Sequence, residues 1–141
     1  MQLMLKNKRL AFAALATQQA IGDGEPAYGG RLIISPNDPD VEVIDDAIVA
    51  VAKDKWKDKA DDILSVLRED KKICFLKAPY RSSKTGKVYD GFEDTFSLGM
   101  RNPKARPTAI DKYGKEITDK SDIERILYSG AYVHAKVEIW A

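Results

Sequence analysis

The sequence predicts a mainly β fold, a small curved antiparallel sheet or barrel, with one α-helical insertion around residues 38–69. Three patterns carry this. Apolar and polar residues alternate near both ends of the chain, the period of a half-buried strand. Between 38 and 69 the apolar residues recur at steps of three and four, the period of an amphipathic helix. The resulting order is two strands, a helical stretch, then several strands, which suits a sheet with one excursion.

Met1 to Leu15 reads as a first strand. Leu3 and Leu5 share one parity and Leu10 and Phe12 the other, so a bulge or bend is expected near Asn7. Lys6, Lys8 and Arg9 before Leu10–Ala16 faintly resemble a secretory signal, but that apolar stretch is short and mostly alanine, and the strand reading is preferred. Gly22 to Pro26 is a loop, and Tyr28 to Ser35 a second strand ended by Pro36. Asp38 is placed to cap a helix with Pro39 at its first position and Asp40 and Glu42 near its positive end. Val41, Ile44, Ile48 and Val51 form its apolar face, and Ala60, Ile63, Leu64 and Leu67 repeat the pattern over Asp58 to Glu69. Capping and solvation account for the aspartates at 38, 40, 45 and 46 without a metal. Ile73 to Leu76 is a short strand, and Pro79 to Lys87 a basic loop. Phe92, Phe96, Leu98 and Met100 mark a third strand, and their stripe assigns Phe92 and Phe96 to the core. Asp111 to Gly114 is a turn. Tyr132 to Ala141 is the clearest strand, with Val133, Ala135, Val137 and Ile139 on one face.

Composition removes several classes of function. The 141 residues fit one domain, residues 1–141, with a core that needs no staples. The longest apolar runs, Leu10–Ala16 and Ala47–Ala52, are far short of the ~20 residues of a membrane helix. One cysteine, Cys74, and one histidine, His134, exclude a disulfide framework, a cysteine zinc cluster and any two-histidine site. The glycine-rich segment at 22–30 precedes a strand and lacks the phosphate-loop pattern. Lys84-Thr85-Gly86 lacks the companion motifs of a serine acyl-enzyme. Adjacent Glu93 and Asp94 point to opposite faces if extended. No catalytic constellation survives, and neither a metal nor a cofactor is expected.

The net charge of +1 conceals a strong asymmetry. Residues 71–115 hold eleven Lys and Arg against four Asp and Glu, and six of the twelve aromatic residues lie in the same window. Cations neutralise phosphates and aromatic rings stack on unpaired bases, so this mixture points to single-stranded nucleic acid. A solvated charged surface over an aromatic core is the competing reading.

The whole chain resembles a known family, the phage single-stranded DNA-binding proteins of OB-fold type, long classed as a phage domain of unknown function. The resemblance runs in order through Arg9–Leu15, Asp38–Trp56, Tyr89–Asn102, Arg106–Asp111 and Tyr128–Ala141. It implies an OB-fold-like barrel with a helical insertion, no catalysis, and sequence-tolerant binding and protection of single strands in phage DNA replication or recombination, in the host cytoplasm. Family members continue past the final segment with another strand and an acidic tail. Against that pattern Ala141 falls inside a strand, as in a truncated or a short member. Recruitment of replication proteins belongs to such a tail. An open edge along 133–141 then implies self-association through the C-terminal strand, unless Asp122–Leu127 covers it.

Strand faces and inter-strand loops are the OB-fold contact surface. The expected phosphate contacts are Lys77, Arg81, Lys84, Lys87, Arg101, Lys104 and Arg106, and the expected stacking residues are Tyr80, Tyr89 and Tyr113, with Tyr28 and Tyr132. Trp56 is assigned to packing, while Trp140 either stacks or covers the sheet. An RNA-binding module and a phage structural or interaction protein stay open as alternatives.

Overall fold

A computed structural model describes residues 1–20 and 24–141; of the loop expected at Gly22–Pro26, Gly22 and Asp23 lie outside the described residues. Strand β1 (Gln2–Gln19) is followed by β2 (Ala27–Ile34), helices α1 (Asp40–Trp56) and α2 (Ala60–Glu69), and strands β3 (Phe75–Leu76) and β4 (Phe96–Asn102). Then come a small hairpin, β5 (Ala109–Ile110) and β6 (Glu116–Ile117), helix α3 (Lys120–Ile126) and strand β7 (Tyr132–Glu138). The main sheet is antiparallel with the order β3-β4-β2-β1-β7. The mainly β architecture and the helical insert are as the sequence predicts. Of the curved sheet and the barrel that the sequence allows, the protein takes the open sheet, and the barrel implied by the resemblance is not closed: β3 and β7 form its two edges and do not pair with each other.

β1 is long because it serves two partners. Its first half pairs with β7 and its second half with β2. Two residues with positive φ, Asn7 at 58° and Phe12 at 50°, break its register. The first is the break expected from the parity change. There Leu5 pairs with Ala135 and Lys8 with Val133, so two residues of β1 face one of β7, and His134 Nδ1 accepts the freed Asn7 N–H at 2.8 Å. The bulge lets both Leu5 and Leu10 turn into the core, where they are buried with Leu32, Ile34 and Leu98.

The helical insert covers this apolar face of the sheet. Ile44, Ala47, Ile48 and Ala52 of α1 and Ala60 and Leu64 of α2 complete the same core. Each fully buried Leu or Ile contributes about 1.5–3 kcal/mol relative to exposure. Asp38 caps α1 as expected, accepting the Asp40 N–H at 2.9 Å. A 3₁₀ turn at Lys57–Lys59 separates the helices, so α2 begins two residues later than predicted. A smaller cluster, Ala16, Ala109, Ile117 and Ile123, joins the end of β1 to the β5–β6 hairpin and α3. α3 was not predicted as a helix; Asp119 caps it through the Asp122 N–H at 3.1 Å. It packs against β1.

One ion cluster ties the insert to the sheet. Lys8 is 6% exposed, and its Nζ lies 2.8 Å from Asp38 and 2.7 Å from Asp40. Burial alone would lower the Lys8 ammonium, but hydrogen bonds and charge from both carboxylates outweigh it and raise its pKa. Burial would likewise raise the Asp38 carboxyl, yet the bonds from Lys8 and the Asp40 N–H hold it below its ordinary value. Removing one partner leaves buried charge uncompensated. Lys8→Ala is therefore expected to cost about 3 kcal/mol in urea unfolding. The carboxylate's contribution is present above its unfolded pKa of about 3.9 and is lost as pH falls through the lower folded value. That of Lys8 is present below about 10.4 and is lost as pH rises through the higher folded value. Unfolding curves of Lys8→Ala should accordingly lack part of the native stability loss at both extremes.

Candidate nucleic-acid interface

With the helices on one face, the other face of the sheet is open to solvent or loops. Register fixes which residues point there. Arg9 pairs with Ile33, Arg31 with Gly99 and Arg101 with Gly29; Arg9 and Arg31 sit one position from the buried Leu10 and Leu32, and Arg101 one position from Met100, which packs against the same core. Arg9, Arg31 and Arg101 thus step diagonally over β1, β2 and β4, with the roughly 7–8 Å spacing of diagonal strand neighbours. Tyr132 pairs with Arg9 and extends this face onto β7. It is 69% exposed.

The segment 80–89 folds back onto the same face as a hairpin. Tyr89 N–H donates to the Tyr80 carbonyl at 3.0 Å, Arg81 bridges Val88, and Ser82 N–H donates to the Lys87 carbonyl at 2.9 Å. Ser82 Oγ accepts from the N–H groups of Lys84 and Thr85, which sets the turn. The two tyrosines therefore meet at the base, and Arg81, Lys84 and Lys87 are exposed beyond them. Arg81 Nη1 donates to the Gly86 carbonyl at 3.0 Å, across the loop.

The hairpin base belongs to a cluster of four rings. Tyr80 stacks on Tyr89 at 5.2 Å, and Phe12 meets Tyr89 edge-on at 4.9 Å and Tyr80 at 5.7 Å. Phe92, 2% exposed, lies 5.4 Å from Tyr80. Such pairs add about 0.5–1.5 kcal/mol beyond their burial. Phe12 reaches the cluster because its positive φ turns it out of the parity of Leu10. A bulky residue in that region is strained, at a cost of about 1–3 kcal/mol, and such strain concentrates at functional sites. Phe92 is buried, as expected, but not through a strand stripe. It precedes β4 in a turn, with its N–H on the Tyr89 carbonyl at 3.0 Å, and it packs in the ring cluster. Phe96 instead packs edge-on with Phe75 at 6.0 Å and joins the main core.

Arg31 lies beneath this cluster. Its guanidinium carbon is 4.0 Å from the Tyr80 ring centre, and its Nε donates to Ser97 Oγ at 2.8 Å. A Cβ on Gly99 would stand 2.8 Å from Arg31 Nη1, so a larger residue at 99 would make the guanidinium shift from its place across β4. Burial pulls its pKa down, opposed by Tyr80 and Cys74, and it remains a cation.

The other expected contact residues fall into four groups. Lys77 is ion-paired with Asp45 of α1, which commits its charge to the insert. Lys104 and Arg106 lie in the loop after β4, where Asn102 Oδ1 holds the Lys104 N–H and Arg106 donates to the Thr118 carbonyl. Tyr113 tops the β5–β6 hairpin, 83% exposed, with Lys112 Nζ 5.1 Å from its ring centre. Tyr28 pairs with Asn102 and has the parity of Leu32, opposite to Arg31. Trp56 is half-buried against the main core, in line with its assignment to packing. Trp140 is exposed beside Ala50 and Val51 of α1, on the helical side. Arg9, Phe12 and Arg31 were missed as site residues. Arg31 had a signal, being the one charged residue in the strand Tyr28–Ser35.

A family model described as Enterobacter phage Enc34, ssDNA-binding protein, matches residues 1–141. The chain belongs to the Enc34 ssDNA-binding protein family. The resemblance read from the sequence is borne out over the full length. A structure of the bacteriophage Enc34 single-stranded DNA-binding protein in complex with ssDNA superposes with a TM-score of 0.77 at 18% identity, covering 99% of this chain and 74% of that one. A C-terminal truncation of the Enc34 protein gives 0.64 at 16% identity, covering 99% and 73%. A further Enc34 structure gives 0.64 at 17% identity, covering 99% and 69%. No curated protein matched the sequence. The fold of this chain is thus the fold of the Enc34 family.

The ring cluster is expected to carry structural weight as well. Phe92→Ala should cost about 3–5 kcal/mol in chemical unfolding, the range for a buried aromatic ring. A loss below 1 kcal/mol would mean that the ring is not packed as described.

Proposed function

We propose that this chain binds single-stranded DNA with little regard to sequence and protects it during phage DNA replication or recombination, in the host cytoplasm and without catalysis. The observation that carries the reading is that aromatic rings and arginines share the one sheet face that the helices leave open. Arg9, Arg31, Arg81, Lys84, Lys87 and Arg101 form no ion pair with a carboxylate of the described residues. Cations so placed attract phosphates, and rings supply stacking surface for any base. Family membership and the relative solved with ssDNA support the same reading. Among the described residues no helix is long and apolar enough to cross a membrane.

Within this reading the residues divide. Tyr132 and Phe12 offer exposed ring area to bases. Tyr80 and Tyr89 are half-buried, and Arg31 and Tyr89 already lie against the Tyr80 ring, so both tyrosines act mainly by shaping the platform. Arg81, Lys84, Lys87 and Arg101 contact phosphate. Lys104, Arg106 and Tyr113 extend the path toward the β5–β6 hairpin, while Lys77 and Tyr28 contribute least. Self-association through the outer edge of β7 and contact with replication proteins belong to the same proposal; sedimentation at increasing concentration tests the first.

Filter binding to an oligo-dT strand, the same length of duplex and an RNA strand tests the function. Tight binding to single-stranded DNA and weak binding to duplex are expected; equal affinity for duplex would contradict base stacking, and preference for RNA would favour the RNA alternative. Tyr132→Ala should weaken DNA binding by about 1–3 kcal/mol with an unchanged melting temperature. Replacing Arg81, Lys84 and Lys87 together with alanine should reduce the slope of log K against log salt by about 2, at roughly 0.7 per phosphate.

A further inference from the structure

We propose that Arg31 is a prebuilt seat for one phosphodiester of the bound strand, the fixed point from which the strand runs over the sheet. The proposal rests on the single-stranded DNA reading above and assigns to it an anchor. A cation at the centre of a sheet, half-buried, is costly unless something compensates it. Among the described residues no carboxylate does so. The protein instead fixes the side chain in place through groups that carry no charge. Ser97, fully buried, accepts from Nε; Tyr80 covers the guanidinium plane; Gly99 clears the floor beneath Nη1. These contacts use the Nε–H and a flat face. The two amino groups keep their donors, and neither is sealed from solvent without a partner. A flat, oriented guanidinium with a free pair of donors matches two oxygens of one phosphate, which is how arginine binds phosphate in bidentate fashion.

The neighbours fit a strand passing through this point. Arg9 stands one diagonal step away toward β7, its guanidinium within 3.7 Å of where a Cβ on Gly91 would lie and 3.8 Å of one on Gly130. Arg101 stands one step away on β4, its Nη2 on the Glu25 carbonyl at 3.1 Å. The ring platform lies alongside. Arg9 and Arg101 are exposed and adaptable, whereas Arg31 alone is held on several sides. It therefore sets the register, and the other two follow the backbone.

The competing role is structural, with Arg31 merely propping up Tyr80. Fluorescence anisotropy of an oligo-dT probe over a range of salt separates the two, using Arg31→Gln and Arg31→Lys in the full chain. Arg31→Gln is expected to weaken binding by about tenfold or more. It should also reduce the salt slope by about 0.7. A slope equal to that of the unaltered chain would overturn the seat, whatever the affinity. Arg31→Lys keeps the charge and loses the fork, so its slope should hold while affinity falls. Equal affinity for Arg31→Lys would overturn bidentate binding, and this variant decides the matter if Arg31→Gln does not fold. Thermal melts with inorganic phosphate distinguish this proposal from the wider reading. Stabilisation that vanishes in Arg31→Gln, in a chain that fails to bind oligo-dT, would keep the anion seat and reject the DNA strand as its source. Absence of both effects would reject both.

Discussion

The organisation of this protein depends on the two left-handed residues of β1, Asn7 and Phe12. A strand of ideal alternation can present only one parity to a core. The break at Asn7 lets Leu5, Lys8 and Leu10 all turn toward the helical side, although they do not share a parity. The break at Phe12 does the reverse, sending a large ring from the core parity to the open face. Between the two breaks β1 changes partners from β7 to β2. One strand therefore builds the core, carries the anchor of the insert and supplies the centre of the ring platform.

Charge is sorted by the same division. On the helical side Lys8 and Lys77 are neutralised by Asp38, Asp40 and Asp45, so cations there fasten α1 to the sheet. On the open side the arginines meet carbonyls, a hydroxyl and a ring instead. Neutralised cations hold a fold together; cations without carboxylates are available to an anion from outside. Under the proposed function, this sorting of cations is what would steer a polyanion to the open face of a near-neutral chain.

Much of this was legible in the sequence where local chemistry decides the outcome. The break at Asn7 showed as a parity change, the start of α1 as Asp38-Pro39, and 111–114 as a turn, where the Asp111 carboxylate accepts the Tyr113 and Lys115 N–H groups. Family membership was legible from ordered segments. What escaped was set by tertiary packing. The strand pattern left an open sheet and a barrel as alternatives because edge pairing is not encoded in any one strand. Phe92 read as a strand residue since Phe96, Leu98 and Met100 follow it in phase, yet a turn at 89–95 intervenes. Arg31 and Arg9 were passed over because they lie outside the basic window; only register brings them beside Tyr80 and Tyr132. Lys77 lies inside that window, but its partner Asp45 is distant in sequence.

The central claim is that nucleic acid lies on the open sheet face and not on the helices. Photo-crosslinking of the full chain to an oligonucleotide of halogenated uracils, read residue by residue by mass spectrometry, tests it most directly. Crosslinks at Phe12, Tyr132 and the hairpin 80–89, with none at Trp56 or along α1, are the expected result. Crosslinks concentrated on Trp56, Trp140 or the helical insert would contradict the account.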